Sequence, residues 1–299
     1  MERGADEWTS TAAAIGGRNL PPPAIFWITS TISRSRAAAR WKVRIMETAT
    51  TGLVLRQVKV GEADQILTIL TPELGVISAS AKGSLRLKNK LFSACGLFCY
   101  SEFTVTTGRS THFIESAQVK TVFHGLSRSV DGMSLAMYLA EIAATLAPAP
   151  PEAEAQLKLL LNCLYMISEQ KKPLRQIKVI YELRVMSLAG YQPDLLACAQ
   201  CGRYDGMDFY FDLTGGTLLC AACAQKANRT PNLDPGALYA LRHICLVEDR
   251  RLFGFAISAP SLQRLGRAGE QYLLAHLDHP LKSLDFLKTV LDEAPLGTG

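Results

Sequence analysis

Four cysteines stand in two tight pairs, Cys198 with Cys201 and Cys220 with Cys223, and 18 residues lie between the pairs. Two thiolates three residues apart on a turn can reach one ion. The spacing between the pairs is that of four-cysteine zinc ribbons, in which each sulfur stands about 2.3 Å from a tetrahedral zinc. Gly202 follows the first pair, and residues 208–212 and 217–219, around Gly215 and Gly216, read as a hairpin that returns the second pair to the first. These residues predict one structural zinc ion. The competing readings are buried thiols without metal and redox pairs, but redox pairs usually begin a helix after the strand of a βαβ unit, a context missing from this stretch. Four protein thiolates close the coordination sphere and leave no position for an activated water, so the expectation is a staple and not a catalyst.

The second stretch with chemical potential is 82–90, where Lys82, Arg86, Lys88 and Lys90 occur without an acid. A loop of this kind beside a strand can track a phosphate backbone, and Phe92, Phe98, Tyr100 and Phe103 are close enough in sequence to stack on bases. The same residues read equally well as a solvated loop and core aromatics, and both readings stay open here. His276 and His279 beside Asp278 fit a helix end better than a metal site, and Cys95 and Cys99 fit small core positions. The sequence has no Walker-type phosphate loop, no G-x-S-x-G and no convincing pair of carboxylates, so no enzymatic reading is expected.

The elements that must position these residues fall into two regions. A length of 299 residues fits about two domains, and 48% hydrophobic with 20% charged residues is ordinary globular composition. The net charge of +5 permits an anionic partner without requiring one. Four of the eight cysteines are scattered outside the C-x-x-C pairs, which fits a reduced, cytoplasmic setting, and no apolar run approaches the roughly 20 residues needed to span a bilayer. Residues 1–45 read either as a disordered tail or as a mis-assigned start before Met46. Stretches 51–58, 65–71, 75–81, 97–106 and 112–122 carry strand patterns separated by turn residues, which predicts a small closed antiparallel barrel of the OB type over 46–124. From 125 the period becomes helical, with Met133, Met137, Ala140 and Ala144 on one face widened by Leu135, Leu139, Ile142 and Leu146. Helices are predicted at about 152–170, 173–189, 261–277 and 284–291, and another starts at Asp234-Pro235. The expected architecture is α+β and multidomain: an N-terminal OB-fold β-barrel, then an all-α helical domain (125–194 and 228–299) carrying a four-cysteine zinc-ribbon insertion at 195–227.

The order of these motifs resembles the bacterial RecO family of recombinational repair mediators. The resemblance rests on 51–56 (TGLVLR), 61–66 (GEADQI), 71–75 (TPELG) and 81–83 (AKG) in the barrel. It continues through 188–194 (LAGYQPD), the Cys198/Cys201 pair with Gly202, and 216–223 (GTLLCAAC), so that it spans Met46 to the carboxyl end. It implies an OB-fold followed by a helical domain, binding of single- and double-stranded DNA, and annealing of complementary strands. It also implies RecR and single-stranded DNA-binding protein as partners in loading RecA within the RecF pathway, and a cytoplasmic, nucleoid-associated location. Lys82 and Arg86 fall where the family carries basic residues for DNA and RecR contact, with Arg56 and Lys88 as weaker carry-overs, and the leucines of the loop shift weight onto Lys88 and Lys90. The family's loop is usually denser in arginine, whereas this chain has Leu85 and Leu87, and residues 1–45 have no family counterpart. A non-enzymatic zinc-ribbon adaptor that binds only proteins is the alternative function.

Overall fold

The computed structural model of the protein describes residues 47–108 and 111–293. The expectations for residues 1–45 lie outside the described residues, as do Arg109 and Ser110 of the last barrel turn. Five strands form the amino-terminal part: β1 (Glu47–Val60), β2 (Asp64–Thr71), β3 (Gly75–Ala81), β4 (Cys99–Thr107) and β5 (His112–Val122). They close as β1-β2-β3-β5-β4. Closure depends on the length of β1, whose amino-terminal half pairs with β4 and whose carboxyl half pairs with β2, around a bulge between Val54 and Arg56. A short parallel contact of Ala79 and Ser80 with His112 and Phe113 completes the ring. Each of the five strands thus has a partner on both sides, which is the physical benefit of a barrel.

Alternation along the strands explains which residues fill the barrel. Val54, Leu67, Ile69, Ile77, Ala79, Phe103, Val105 and Ile114 point inward. Leu91 and Cys95 join this core from a four-residue helix, α1 (Leu91–Ala94), too short to leave a period in the sequence. Leu53, Leu55 and Leu70 have the opposite parity and join the helical core instead. Strands buried on both faces read as unbroken apolar runs, and Leu53-Val54-Leu55 is such a run. Phe98 and Phe103 are therefore not available to bases: both are core residues, only 2% and 0% exposed. Tyr100 is partly buried against the helices, and Phe92 alone of the four rings is exposed.

The helical part comprises α2 (Val130–Leu146), α3 (Glu152–Ser168), α4 (Leu174–Leu188), a short α5 (Ala221–Lys226), α6 (Pro235–Leu246), α7 (Ala259–Ala275) and α8 (Lys282–Glu293). Between α4 and α5 runs a two-stranded hairpin, β6 (Phe209–Phe211) and β7 (Leu218–Cys220). The barrel sits on α2 and α3, while α4 packs against α2, α3, α6 and α7. Asp234 caps α6 through the Ala237 N–H, with Pro235 in the first turn, as its sequence predicts. α7 starts two residues earlier than its pattern indicates, because Ser258 caps it and Pro260 is admitted in the first turn. The apolar face of α2 is also rotated: Met137 is half exposed, and Ala136, Tyr138 and Ala143 take up the buried positions. No helix among the described residues is long and apolar enough to cross a membrane.

One side chain ties the last helix to the stack. Glu141 of α2 accepts hydrogen bonds from the backbone N–H groups of Lys282 (2.9 Å) and Ser283 (2.8 Å) at the start of α8, and from the Ser283 hydroxyl. A carboxylate at a helix amino terminus answers both the orphan N–H groups and the dipole. Partial burial alone would raise its pKa, but these bonds and the nearby Lys282 charge outweigh burial and hold the carboxyl below its ordinary 4.5. A depressed pKa gives stability that is present above the unfolded value and lost as pH falls through the folded one. Glu141→Ala is expected to cost about 1 kcal/mol, the usual loss for a removed cap. In urea melts the gap between wild type and variant should be full at pH 7 and narrow below pH 4.5. A gap that widened on acidification would contradict this role for Glu141.

Candidate nucleic-acid interface and metal centre

The cysteine pairs meet because the local backbone brings them together. Cys198 and Cys201 flank a tight turn in which the Gly202 N–H donates to the Cys198 carbonyl at 2.8 Å. The turn is laid against β7, where Cys198 bridges Leu218 and the Ala199 N–H donates to the Leu218 carbonyl. The hairpin register sets Phe209 opposite Cys220 and Phe211 opposite Leu218, so alternate residues enter the core and the second cysteine pair emerges at the end of β7. Gly216 turns the hairpin at φ +64°, and a side chain there would press on Tyr272 and Pro193. Cys220 caps α5, whose first turn supplies Cys223.

The four Sγ atoms lie within 4.8 Å of one another, and those of Cys201 and Cys220 are 3.6 Å apart. Sulfurs about 2.3 Å from one tetrahedral ion would stand roughly 3.8 Å apart, so the cluster has the dimensions of a metal site. Its protonation points the same way. At Cys198 burial opposes ionisation, yet the backbone N–H groups of Cys220, Gln200 and Cys201 draw the thiol down to about 6. Cys220 is lowered chiefly by the Cys223 N–H. Desolvation and the three neighbouring thiols push Cys223 up to about 12. Two thiols are thus shifted down and a third up, a conflict that a divalent cation among them removes. Cys198, Cys201, Cys220 and Cys223 could hold one metal ion.

The basic stretch 82–90 is an ordered loop. Gly83, at φ +66°, gives its N–H to Asp64 Oδ1 at 2.7 Å, the Leu85 N–H donates to the Ala63 carbonyl, and Asn89 closes the turn onto Lys82 and Leu91. Asp64 thus holds the loop through its backbone and forms no ion pair with its cations. Lys82, Arg86, Lys88 and Lys90 are at least partly exposed, and among the described residues no carboxylate is within ion-pair reach of any of them. Arg56 is exposed on β1, opposite Thr68.

One residue passed over by sequence reasoning completes this surface. Lys82 Nζ stands 5.8 Å from the ring centroid of Phe113, within cation–π range. Phe113 lies opposite Ser80, Ser80 opposite Ile66 and Ile66 opposite Val58, so these four share one outer row of the barrel. Val58, Ile66 and Phe113 are all exposed. Arg56 belongs to the same face of β1 as Val58, two residues away. The signal for Phe113 was present in the sequence: it has the parity of Glu115 and alternates with the inward Ile114. An ordered basic loop above an exposed ring and a row of apolar and hydroxyl side chains can hold a phosphate backbone and stack a base. His276, by contrast, caps α7 with Nδ1 at 2.8 Å from the Tyr272 carbonyl oxygen, which accounts for it without a metal.

Two family models match the chain. The family described as "Recombination protein O N terminal" matches residues 46–123, and "Recombination protein O C terminal" matches residues 128–285. The chain is 33% identical over 243 residues to the DNA repair protein RecO of Acetivibrio thermocellus, an alignment covering 81% of this chain and 96% of that protein. It is 27% identical over 242 residues to that of Alkaliphilus metalliredigens, covering 81% and 98%. With that of Symbiobacterium thermophilum the identity is 29% over 243 residues, covering 80% and 96%.

The thiolate cluster generates a direct test. Elemental analysis of the purified protein is expected to return about one divalent metal per chain, and Cys198→Ser should remove it. That variant should also melt at a lower temperature, with a loss of several kcal/mol, because metal binding contributes to folding. A Cys198→Ser protein with unchanged metal content and melting temperature would rule out the site.

Proposed function

The chain belongs to the RecO family of DNA repair proteins, and from that membership we propose that it is a non-catalytic recombination mediator of the RecF pathway. In this reading it binds single- and double-stranded DNA, anneals complementary strands, and acts with RecR to load RecA onto strands coated by single-stranded DNA-binding protein. It works in the cytoplasm in association with the nucleoid. The observation that supports this most is the cationic loop of Lys82, Arg86, Lys88 and Lys90, uncompensated among the described residues and held by Asp64 beside the exposed Phe113. Uncompensated cations release counterions when they meet phosphates, and an exposed ring supplies stacking that tolerates any base. Arg56 extends the same face.

The metal in this reading is zinc, since four thiolates at tetrahedral spacing favour it over oxygen-seeking cations. Bound there, it supplies cross-linking between the 198–201 turn and the β7–α5 corner. Cys198, Cys201, Cys220 and Cys223 would fill its coordination sphere, so its role is structural. The adaptor reading gains support from one feature: Leu196, Tyr204, Met207 and Tyr239, around the module and on α6, are all more than 60% exposed. Partner binding that persisted without DNA, together with no annealing, would favour it.

Two measurements test the mediator reading. Lys82→Ala/Arg86→Ala is expected to weaken single-strand binding at least tenfold. If both cations contact phosphates, it should also reduce the slope of log affinity against log salt by roughly 1.4, at about 0.7 per lost contact. Strand annealing should fall in parallel. Phe113→Ala should weaken binding by about 1–3 kcal/mol while leaving the salt slope unchanged, because stacking releases no counterions. Salt-insensitive DNA binding in the wild type would refute the reading.

A further inference from the structure

The loop that carries the barrel's cations has an apolar apex. Two turns follow one another in it: the Arg86 N–H donates to the Gly83 carbonyl at 3.0 Å, and the Asn89 N–H donates to the Arg86 carbonyl at 2.9 Å. Leu87 and Lys88 are the central residues of the second turn. Both ends of that turn are tied down. Ahead of it the Leu85 N–H donates to the Ala63 carbonyl at 3.0 Å and the Gly83 N–H to Asp64; behind it the Leu91 N–H donates to Asn89 Oδ1 at 2.9 Å and the Phe92 N–H to the Asn89 carbonyl at 3.1 Å. Leu85 is partly buried, but Leu87 is 82% exposed and joins neither apolar core.

Nothing in the fold calls for a leucine at this apex. Turn centres favour Gly, Pro, Asn, Asp and Ser for conformational or hydrogen-bonding reasons that leucine does not meet, and its side chain stands in water without covering a neighbour. Its sequence neighbours Arg86 and Lys88 are both exposed, and neither makes an ion pair among the described residues. An apolar side chain between two cations matches the chemistry of a nucleic-acid strand, in which apolar base faces alternate with phosphates. Side chains such as leucine can part neighbouring bases, and the cost of unstacking is offset by apolar burial and by contacts to the flanking phosphates. A turn already ordered by six backbone and side-chain bonds loses little further freedom when it does so.

We infer that Leu87 is a wedge that enters between two adjacent bases of the strand bound by this loop and opens one stacked step, with Arg86 and Lys88 on the phosphates to either side. The inference rests on the DNA-binding reading of the barrel and gives that site a task beyond holding the backbone. Phe113, beside Lys82 at the start of the loop, offers its ring to a further base of the same strand. A strand opened at one step presents an unstacked base edge to a complementary strand, so the wedge would assist pairing as well as binding.

The test uses the full chain and an oligodeoxyadenylate with 2-aminopurine at every second position, whose fluorescence is quenched by stacking and rises when a step opens in any register. Saturating wild type should raise that fluorescence about twofold. Leu87→Ser should keep about a third or less of the rise at saturation, with affinity lowered less than about tenfold and an unchanged salt slope. Leu87→Met, which restores a long apolar side chain, should recover the rise. Unchanged melting temperatures will show that both variants fold. Lys82→Ala/Arg86→Ala should do the opposite, losing affinity and salt dependence while keeping the rise once saturated. An undiminished rise with Leu87→Ser, or no rise with a wild type that binds, overturns the wedge and leaves the DNA-binding reading intact; the apex would then be assigned to a protein surface. Absence of any oligonucleotide binding by the wild type overturns both.

Discussion

A lysine buried in the middle of the helical part constrains nearly everything around it. Lys178 lies on the inner face of α4, and its Nζ is held by Glu182 of the same helix at 2.7 Å and Glu270 of α7 at 2.9 Å. Glu182 is completely buried and accepts a hydrogen bond from Tyr138 of α2, and Glu270 also pairs with Lys288 of α8. Burial alone would lower the lysine pKa, but two carboxylates outweigh it and keep the amine charged. Removing one partner from such a cluster costs about 3–5 kcal/mol, because a buried charge is left alone. The network therefore accepts only arrangements in which α2, α4, α7 and α8 meet in one register.

That register carries the rest of the architecture. α2 and α3 form the platform for the barrel, and Leu53, Leu55, Leu70 and Phe98 of the barrel belong to the same continuous apolar core as the helices. On the far side α6 and α7 receive the hairpin, with the Phe211 ring 5.2 Å from that of Tyr272 and the Tyr272 hydroxyl bonded to the Tyr191 carbonyl. The cysteine cluster is thus supported from both sides, by apolar packing under the hairpin and by its own sulfurs at the tip. A metal ion held by the four cysteines would brace the tip, while Phe209, Phe211 and Leu218 anchor the base of the hairpin in the core.

Much of this was legible before any coordinates. The existence of the five strands followed from their patterns, although β1 begins four residues before its expected start, and the cysteine spacing located the cluster because ligand geometry admits few spacings. What stayed hidden required knowing which side of an element is covered. On β4, Phe103 alternates with Glu102 and so faces inward, but Tyr100 has the parity of Glu102 and is still partly buried, because α2 and its neighbours cover that outer face. Parity alone could not separate Tyr100 from a stacking ring. Phe113 was passed over: its parity with Glu115 marks the outer face, but only the pairing with β3 brings it beside Lys82. Met137 was misplaced for a related reason, since three helices and a barrel compete for the surface of α2 and its buried arc is wider than a simple stripe.

The two ways this protein treats its cations clarify how its surface is organised. Lys178 and Lys288 are matched to carboxylates inside or at the edge of the helical stack, where an unmatched charge would be costly. Lys82, Arg86, Lys88 and Lys90 are left unmatched among the described residues and face water, where isolation costs little and counterions are available for exchange. Glu270 stands between the two regimes. Its carboxylate serves Lys178 inside the stack and Lys288 at its edge, while the neighbouring cations of α7 are treated differently: Arg264 lies 3.6 Å from Asp234, and Arg267 makes no ion pair among the described residues.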